Sequence, residues 1–577
     1  MKPTLPSALI VGTLVGLVAA ACGGAAAPTA TPAPAAQPTT AAAKAPTPTT
    51  LAGLPGIAPT LPAPTAAPRA GPSRGKIVYA TVTDIGFTNT ASGSPSDRSG
   101  YIASIDLGLT ATEGPTIKAF RPYGAKGWEF SEGGKVLTFT IRDDVVFHDG
   151  TKVTVDDWVY RYDDLWLHPV QPGGIPPTQL PVPLRVEKVD SSRFRIVWPS
   201  PDPRFLGPYG TTGEGRGVYS KAYIQRVGFE EFARKPIGAG PYKFVKWSPA
   251  EYVLIEAHEQ FFLGAPQVKT VDIRFIPEDT TRVAMLLTGE ADIALSLPPT
   301  MLSRVEGGAG NKIVAVPNFM TASIMFQAGA KTIPGTDLPN PFGDVRVRRA
   351  VAYAIDRKAI LERVVGRGGR PIKGPYAEHA IGYDGNNIVE YEYNPTKARQ
   401  LLEDAKYPFD YPFTLLTYPL SPPMPAAMEA AVTYMQAVGM KVTYSLREVS
   451  ASTRLWTQKR LDPKATGVYP LQGVRSAAFE DVAQGIYGYY NSRDGSFPQN
   501  DPKLDALIDE GLTAFEPKAR EDANKALFGY LHEQAQYITL YDMIENHGVG
   551  PRVDFNFPAQ AARPNHLGYV TWRPGFP

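Results

Sequence analysis

The chain has 577 residues, too many for one ordinary hydrophobic core, so two or three lobes are required. Its 58 Lys and Arg against 56 Asp and Glu leave a formal charge of +2, which excludes the basic excess expected where nucleic acid is the main partner. Cys22 is the sole cysteine, which excludes an intramolecular disulfide and any Cys-based metal site.

Lys2 precedes an apolar run from Leu9 to Ala21. The run is too short for a comfortable membrane span and reads as an export signal over residues 1–22. Its end, Leu17-Val18-Ala19-Ala20-Ala21-Cys22-Gly23, resembles a bacterial lipobox, in which the cysteine is lipidated and becomes the new N-terminus. Ala19 stands where that pattern prefers leucine. Residues 23–75 are almost entirely Ala, Pro and Thr, without apolar periodicity, and read as a disordered linker. Semi-extended Pro-rich chain of that length reaches on the order of 100 Å. Gly71-Pro72-Ser73-Arg74-Gly75 matches the hydrolase elbow G-x-S-x-G. An elbow needs a strand before the serine, and linker precedes it here, so the match is chance.

Lys76–Val82 reads as the first strand of the globular part, followed by a polar loop from Thr83 to Ser99. Trp128–Lys135 reads as strand and turn, and in Val136–Arg142 the residues Leu137, Phe139 and Ile141 face one way. Asp149-Gly150 is a turn, and Thr154 with Asp157 comes close to a capping box. Gly238 and Gly240 with Pro241 predict a tight turn feeding strands Tyr242–Trp247, Tyr252–Ala257 and Val271–Ile276. Asp279 then caps a helix that Gly289 ends. Asp344 and Asp356 cap two further helices, with Arg346, Arg348 and Arg349 on a solvated face. Helix Thr396–Ala405, strand Phe413–Tyr418, helix Ala426–Ala437 and strand Lys441–Leu446 have the rhythm of a small α/β lobe. Helices Asp505–Leu512 and Ala519–Gln534 precede a strand, Tyr537–Tyr541, that returns the chain to the first lobe.

The run from Gly127 to Asp163, GWEFSEGGKVLTFTIRDDVVFHDGTKVTVDDWVYRYD, resembles the signature of the family 5 extracellular solute-binding proteins, the dipeptide- and oligopeptide-binding components of ABC importers. PIGAGPYKFVKW through LLTGEADIA (Pro236–Ala294), Pro341–Val365, Asn394–Leu402 and Val438–Val442 are similar to later blocks of the same family, in the same order. The resemblance implies an α/β, two-lobed periplasmic-binding-protein-like fold of type II, cluster C-like, with a hinge and an extra subdomain in lobe one. Lobe one is expected at 76–325 plus 542–577, with the subdomain at about 111–217, and lobe two at 326–541. The implied function is capture of a peptide-like or other small solute in the interlobe cleft and delivery to ABC permease subunits. The implied chain is a monomer without cofactor, metal or nucleic-acid partner, lipid-anchored at the outer face of the cytoplasmic membrane. A sensor or scaffold on the same fold, and an extracellular hydrolase, are the alternatives.

No catalytic constellation emerges. The seven histidines lack metal-ligand spacing, and His148, in a strand and turn, reads as structural. Peptide-binding members of the family hold extended peptide largely by main-chain hydrogen bonds and fix its amine with an aspartate before a proline in lobe two. The matching region, Gly467–Asp481, contains no Asp-Pro, and Glu480 or Asp481 is the substitute. After the first strand the family's Leu-Asp-Pro is replaced by Phe87-Thr88-Asn89-Thr90, so Phe87 and Asn89 are further candidates. Arg475 suits a ligand carboxylate, and Tyr418, Trp456 and Tyr469 supply apolar or stacking surface.

Overall fold

The computed structural model describes residues 72–82, 104–112, 120–164, 185–201, 203–206, 217–316, 320–332, 337–376, 378, 380–410, 412–418, 423–447, 471–477, 481–493, 499–555 and 567–577. Two mixed sheets organise them, one in each lobe.

The first sheet has seven strands in the order Lys312–Val316, Glu545–Val549, Ile293–Ala294, Arg74–Thr81, Val268–Phe275, Tyr252–Ala257, Tyr242–Ser248. Arg74–Thr81 runs parallel to both of its neighbours. The stretch from Pro236 to Ala294 therefore supplies four of the seven strands. Alternating side chains of these strands, among them Ile77, Tyr79, Val253, Ile255, Val271 and Ile273, are buried in one cluster. The Ser73 hydroxyl donates to the Pro266 carbonyl, so the serine of the elbow-like match is a lobe-edge contact.

Gly238 and Gly240 do not serve a left-handed turn. A Cβ on Gly238 would fall on the Ile105 carbonyl oxygen, and one on Gly240 would lie 2.5 Å from the Ser104 carbonyl oxygen. Both are glycine because the chain passes against the 104–105 backbone, where Gly240 N–H donates to Ile105 O at 2.8 Å. Asp279 differs from expectation too. It lies in the first turn of helix Asp279–Thr288, whose N-cap is Glu278, and its carboxylate meets Arg282. The buried Arg282 also donates to the carbonyls of Ile276, Pro277, Leu295 and Ser296, tying the helix to the sheet. Gly289 ends this helix at φ 76°, as its position predicts.

Against lobe one sits a four-stranded antiparallel sheet, Ala125–Ser131, Val136–Ile141, Arg193–Val197, Arg185–Lys188. Leu137, Phe139 and Ile141 are buried in its core, with Trp158 and Phe194 among the neighbours. Asp157 accepts from the Thr154 N–H at 2.9 Å and hydroxyl at 2.7 Å, and fixes the start of helix Val155–Tyr162.

His148 and His258 clamp the Gly238–Gly240 passage. Gly238 N–H donates to His148 Nδ1 at 3.1 Å, which leaves the His148 proton on Nε2, facing Gly240 O at 3.2 Å. His258 Nδ1 meets the same carbonyl at 3.1 Å, and the two rings stack edge-on 5.0 Å apart. Burial, reinforced by the neighbouring His258, pushes the His148 imidazole down to about 3, and burial pushes that of His258 down as well. Both therefore favour the neutral form in the folded state.

Lobe two contains a six-stranded sheet in the order Gly369–Arg370, Tyr537–Met543, Met320–Phe326, Leu471–Ala477, Phe413–Thr417, Val442–Leu446. Phe413–Thr417 is parallel to both neighbours, and the other pairings are antiparallel. Helices Val345–Ala354, Pro395–Asp404 and Pro423–Ala437 cover one face; Val482–Tyr490, Pro502–Thr513 and Pro517–Glu533 cover the other. Asp344 and Asp356 cap their helices, each accepting a backbone N–H at 2.8 Å. Arg348, expected on a solvated face, is buried. Its guanidinium donates to the carbonyls of Phe342, Gly343 and Gln534, so a cationic side chain ties helix Val345–Ala354 to the end of Pro517–Glu533. Arg346 and Arg349 remain on the exposed side.

The chain passes between the sheets twice: from Val316 to Met320, and from Met543 to Glu545 with Ile544 between. Tyr537–Met543 stays in the second sheet, and the return to the first is made by Glu545–Val549.

The histidine clamp makes stability pH-dependent. The unfolded histidines protonate as pH falls through about 6.5, whereas the folded His148 resists until about 3. The contribution is present above pH 6.5 and is lost as pH falls toward 3. Replacing His148 by Asn keeps an acceptor for Gly238 and removes the titration. In denaturant unfolding between pH 6 and 4, H148N should lose less stability than the parent, by about 1.4 kcal/mol per pH unit. Parallel stability curves for the two proteins would count against the clamp.

Candidate functional site

In open α/β sheets ligands bind beyond the carboxyl ends of the parallel strands, where backbone N–H groups and loops converge. Here those ends are Thr81, Phe275 and Ala294 in lobe one, and Thr417, Leu446 and Ala477 in lobe two. The residues singled out from sequence follow these same strands. Phe87 and Asn89 come after Thr81; Tyr418 comes directly after Thr417. Trp456 and Tyr469 fall between Leu446 and Leu471, and Glu480 and Asp481 come after Ala477. Phe87, Asn89, Trp456, Tyr469 and Glu480 lie outside the described residues, as does Cys22. For Arg475 only the strand register is described: it sits opposite Ala322.

Tyr418 and Asp481 are placed in full. Tyr418 is buried at the end of its strand. Asp481 starts helix Val482–Tyr490, but in the interior and not on an exposed helix start. Its Oδ1 accepts the Gln484 N–H at 2.6 Å, and its Oδ2 accepts from Arg520 Nη2 at 2.6 Å and Nε at 3.1 Å. The Asp481 side chain is 0 % exposed and that of Arg520 5 %. Asn524 completes the arrangement: its Oδ1 accepts the Ala483 N–H, and its Nδ2 donates to Gly511 O and Arg520 O. A charged N-cap, a guanidinium and an amide thus lock the helix that follows the central strand Leu471–Ala477.

A second charged group lies where the chain leaves lobe two. Arg370 Nε donates to Asp542 Oδ2 at 2.7 Å and its Nη2 to Glu378 Oε2 at 3.1 Å. Asp542 is fully buried, one residue from the end of Tyr537–Met543. Next to it, Ile544 N–H donates to Gly368 O and Asn546 Nδ2 to Arg367 O, so the Gly366–Gly369 loop rests on the crossing. Neither Arg370 nor Arg520 was singled out from sequence. The only local signal was the glycine-rich run around Arg367, and nothing local pairs it with residues near 542. Among the described residues no three His, Cys, Asp or Glu side chains converge to hold a metal ion, and no helix is long and apolar enough to cross a membrane.

Two sheets, each with parallel strands ending toward loops, and a chain that crosses between them twice define a two-lobed, type II binding-protein fold. The chain belongs to the bacterial extracellular solute-binding proteins, family 5, whose middle-region model matches residues 119–497. It is 27% identical over 467 residues to heme-binding protein A of Haemophilus influenzae, covering 75% of this chain and 80% of that one. It is 27% identical over 313 residues to di/tripeptide-binding protein 2 of Pseudomonas aeruginosa, covering 51% of this chain and 57% of that one. Among solved structures, the dipeptide binding protein from Pseudoalteromonas sp. SM9913 in complex with Met-Leu superposes with a TM-score of 0.73 at 18% identity, over 86% of this chain and 100% of that one.

The Asp481–Arg520 pair should be costly to break, because truncating one partner leaves the other charge buried and unpaired. Arg520→Ala is expected to destabilise the protein by about 3–5 kcal/mol in denaturant titrations. A loss under 1 kcal/mol would show that water reaches the pair.

Proposed function

We propose that this chain is the solute-binding component of an ABC importer. It captures a peptide-like or other small solute between its lobes and presents the loaded form to membrane permease subunits. The observation that carries the reading is the paired crossing at Val316–Met320 and Met543–Glu545, a hinge between two sheets whose parallel strands end in the candidate loops. A solute that touches both lobes favours their closed arrangement, since only there are all its contacts made. The relatives carry heme and di/tripeptide names, so the same frame serves solutes of different chemistry.

In this reading the boundaries expected at 325/326 and 541/542 move to the crossings: lobe one runs from the strand that starts at Arg74 to Val316 and resumes at Glu545, with the subdomain at about 111–217, and lobe two runs from Met320 to Met543. Phe87, Asn89, Tyr418, Trp456, Tyr469, Arg475 and Glu480 form the lining. Asp481, whose carboxylate is already engaged by Gln484 and Arg520, acts by positioning the loop before it. The protein works as an exported monomer, with the alanine- and proline-rich linker as spacer and a lipid on Cys22 as anchor.

Native mass spectrometry of protein purified from its own host should show a bound solute. Adding that solute back at 100 times its Kd should stabilise the protein by about 2.7 kcal/mol, read as a rise in Tm. If no solute co-purifies, and no peptide, oligosaccharide or metal chelate raises the Tm, the capture reading fails. The anchor is tested separately. Cells fed a labelled fatty acid should label the wild-type chain and not Cys22→Ser, which should then be released from the membrane fraction. Equal labelling of both would remove Cys22 as the lipid site.

A further inference from the structure

The helical hairpin Pro502–Thr513 and Pro517–Glu533 belongs to lobe two, where Leu504, Ile508 and Phe528 share a core with Met325 and Tyr537 of the six-stranded sheet. Phe515, in the turn between these helices, does not join that core. It packs against the cluster of the four-stranded sheet in lobe one. Its ring lies 5.2 Å from that of Phe130 in an edge-on arrangement at 79°. The floor beneath it is Gly134, at φ +91°, where a Cβ would come within 2.5 Å of the Phe515 ring. Any side chain at 134 would fill the space that the ring occupies.

The turn holds Phe515 out rigidly. Ala514 closes the first helix and Glu516 opens the second, both with extended backbone, and Pro517 fixes the first helical position. Thr513 and Glu516 on either side are exposed, so the aromatic ring is the apolar element of an otherwise polar tip. Outside the Gly134–Phe130 socket this ring would face water.

A second cross-lobe contact between side chains differs in kind. Arg367 donates through both terminal nitrogens to the Glu306 carboxylate, at 2.8 Å each. It sits on the loop that rests on the crossing itself, through Ile544 and Asn546. That ion pair is a hinge-side contact, exposed and of small worth in salt. The Phe515 contact joins segments with no strand connection between them, so it forms only when the lobes have come together.

We propose that Phe515 and its Gly134–Phe130 socket are a clasp that closes the two lobes on each other without solute. Partial burial of this aromatic ring biases the closed-to-open ratio by on the order of tenfold. The clasp therefore tunes how readily the cleft opens to admit solute, and sets the share of apparent affinity left for the solute to supply. The inference uses the hinge architecture and not the identity of any solute. Its test is made without solute, so its failure and that of the importer reading are separate results.

Small-angle scattering on ligand-stripped, refolded full chain provides the test, with wild type, Phe515→Leu and Phe515→Ala compared and folding followed by circular dichroism. Wild type should be compact, Phe515→Ala should show a larger radius of gyration, corresponding to a shift of on the order of tenfold toward open, and Phe515→Leu should fall between. Identical scattering from all three overturns the clasp, as does a wild type already open without solute. Loss of folding in Phe515→Ala would place the ring in the core of a single folding unit and would overturn it too.

Discussion

One nearly continuous extended run, Tyr537–Val549, belongs to both sheets, and neither lobe is complete without it. Its first half pairs with Met320–Phe326 and Gly369–Arg370 in lobe two. Its second half fills the space between Lys312–Val316 and Ile293–Ala294 in lobe one. Backbone N–H and C=O groups in a sheet interior must be paired, so removing this run would orphan donors and acceptors in both lobes at once. The only residue between the two halves is Ile544, whose own N–H is taken by Gly368 O. The hinge is thus short, hydrogen-bonded and shared, which suits rigid lobes that move as bodies.

Charge is used inside this frame in a consistent way. Arg282, Arg348 and Arg520 are all buried, and each is engaged by carbonyls or a carboxylate. A guanidinium has five donors in a fixed fork, so one side chain can satisfy several orphaned carbonyls at helix and strand ends. Arg282 serves the helix of the Pro236–Ala294 segment, Arg348 joins two helices of lobe two, and Arg520 holds the helix after the central strand. These groups fix helix and strand ends within each lobe.

Much of the frame was legible along the chain because its signals are local. The alternation of Tyr252–Ala257, the Thr154–Asp157 start, the Asp344 and Asp356 caps and the Gly289 stop each depend on residue types a few positions apart, so each can be read within one short window of sequence. Where the reading differed, a distant partner decided. Gly238 and Gly240 look like turn glycines until the 104–105 backbone lies against them. Arg348 looks like its solvated neighbours Arg346 and Arg349 until the carbonyls of Phe342 and Gln534 converge on it.

The candidate site divides along the same line. Residue types and the order of motifs alone determined the α/β class and the family blocks, and the resemblance they carry pointed to the candidate positions after Thr81, Thr417 and Ala477. Periodicity and capping are written within a few residues. Tertiary structure alone decided that Asp481 is engaged by Arg520, that Arg370 meets Asp542 at the crossing, and that Phe515 leaves its own lobe for a socket in the other. Each of those joins residues far apart in the chain, and only the closing of the sheets, with the pairing and burial that closing demands, brings such partners together.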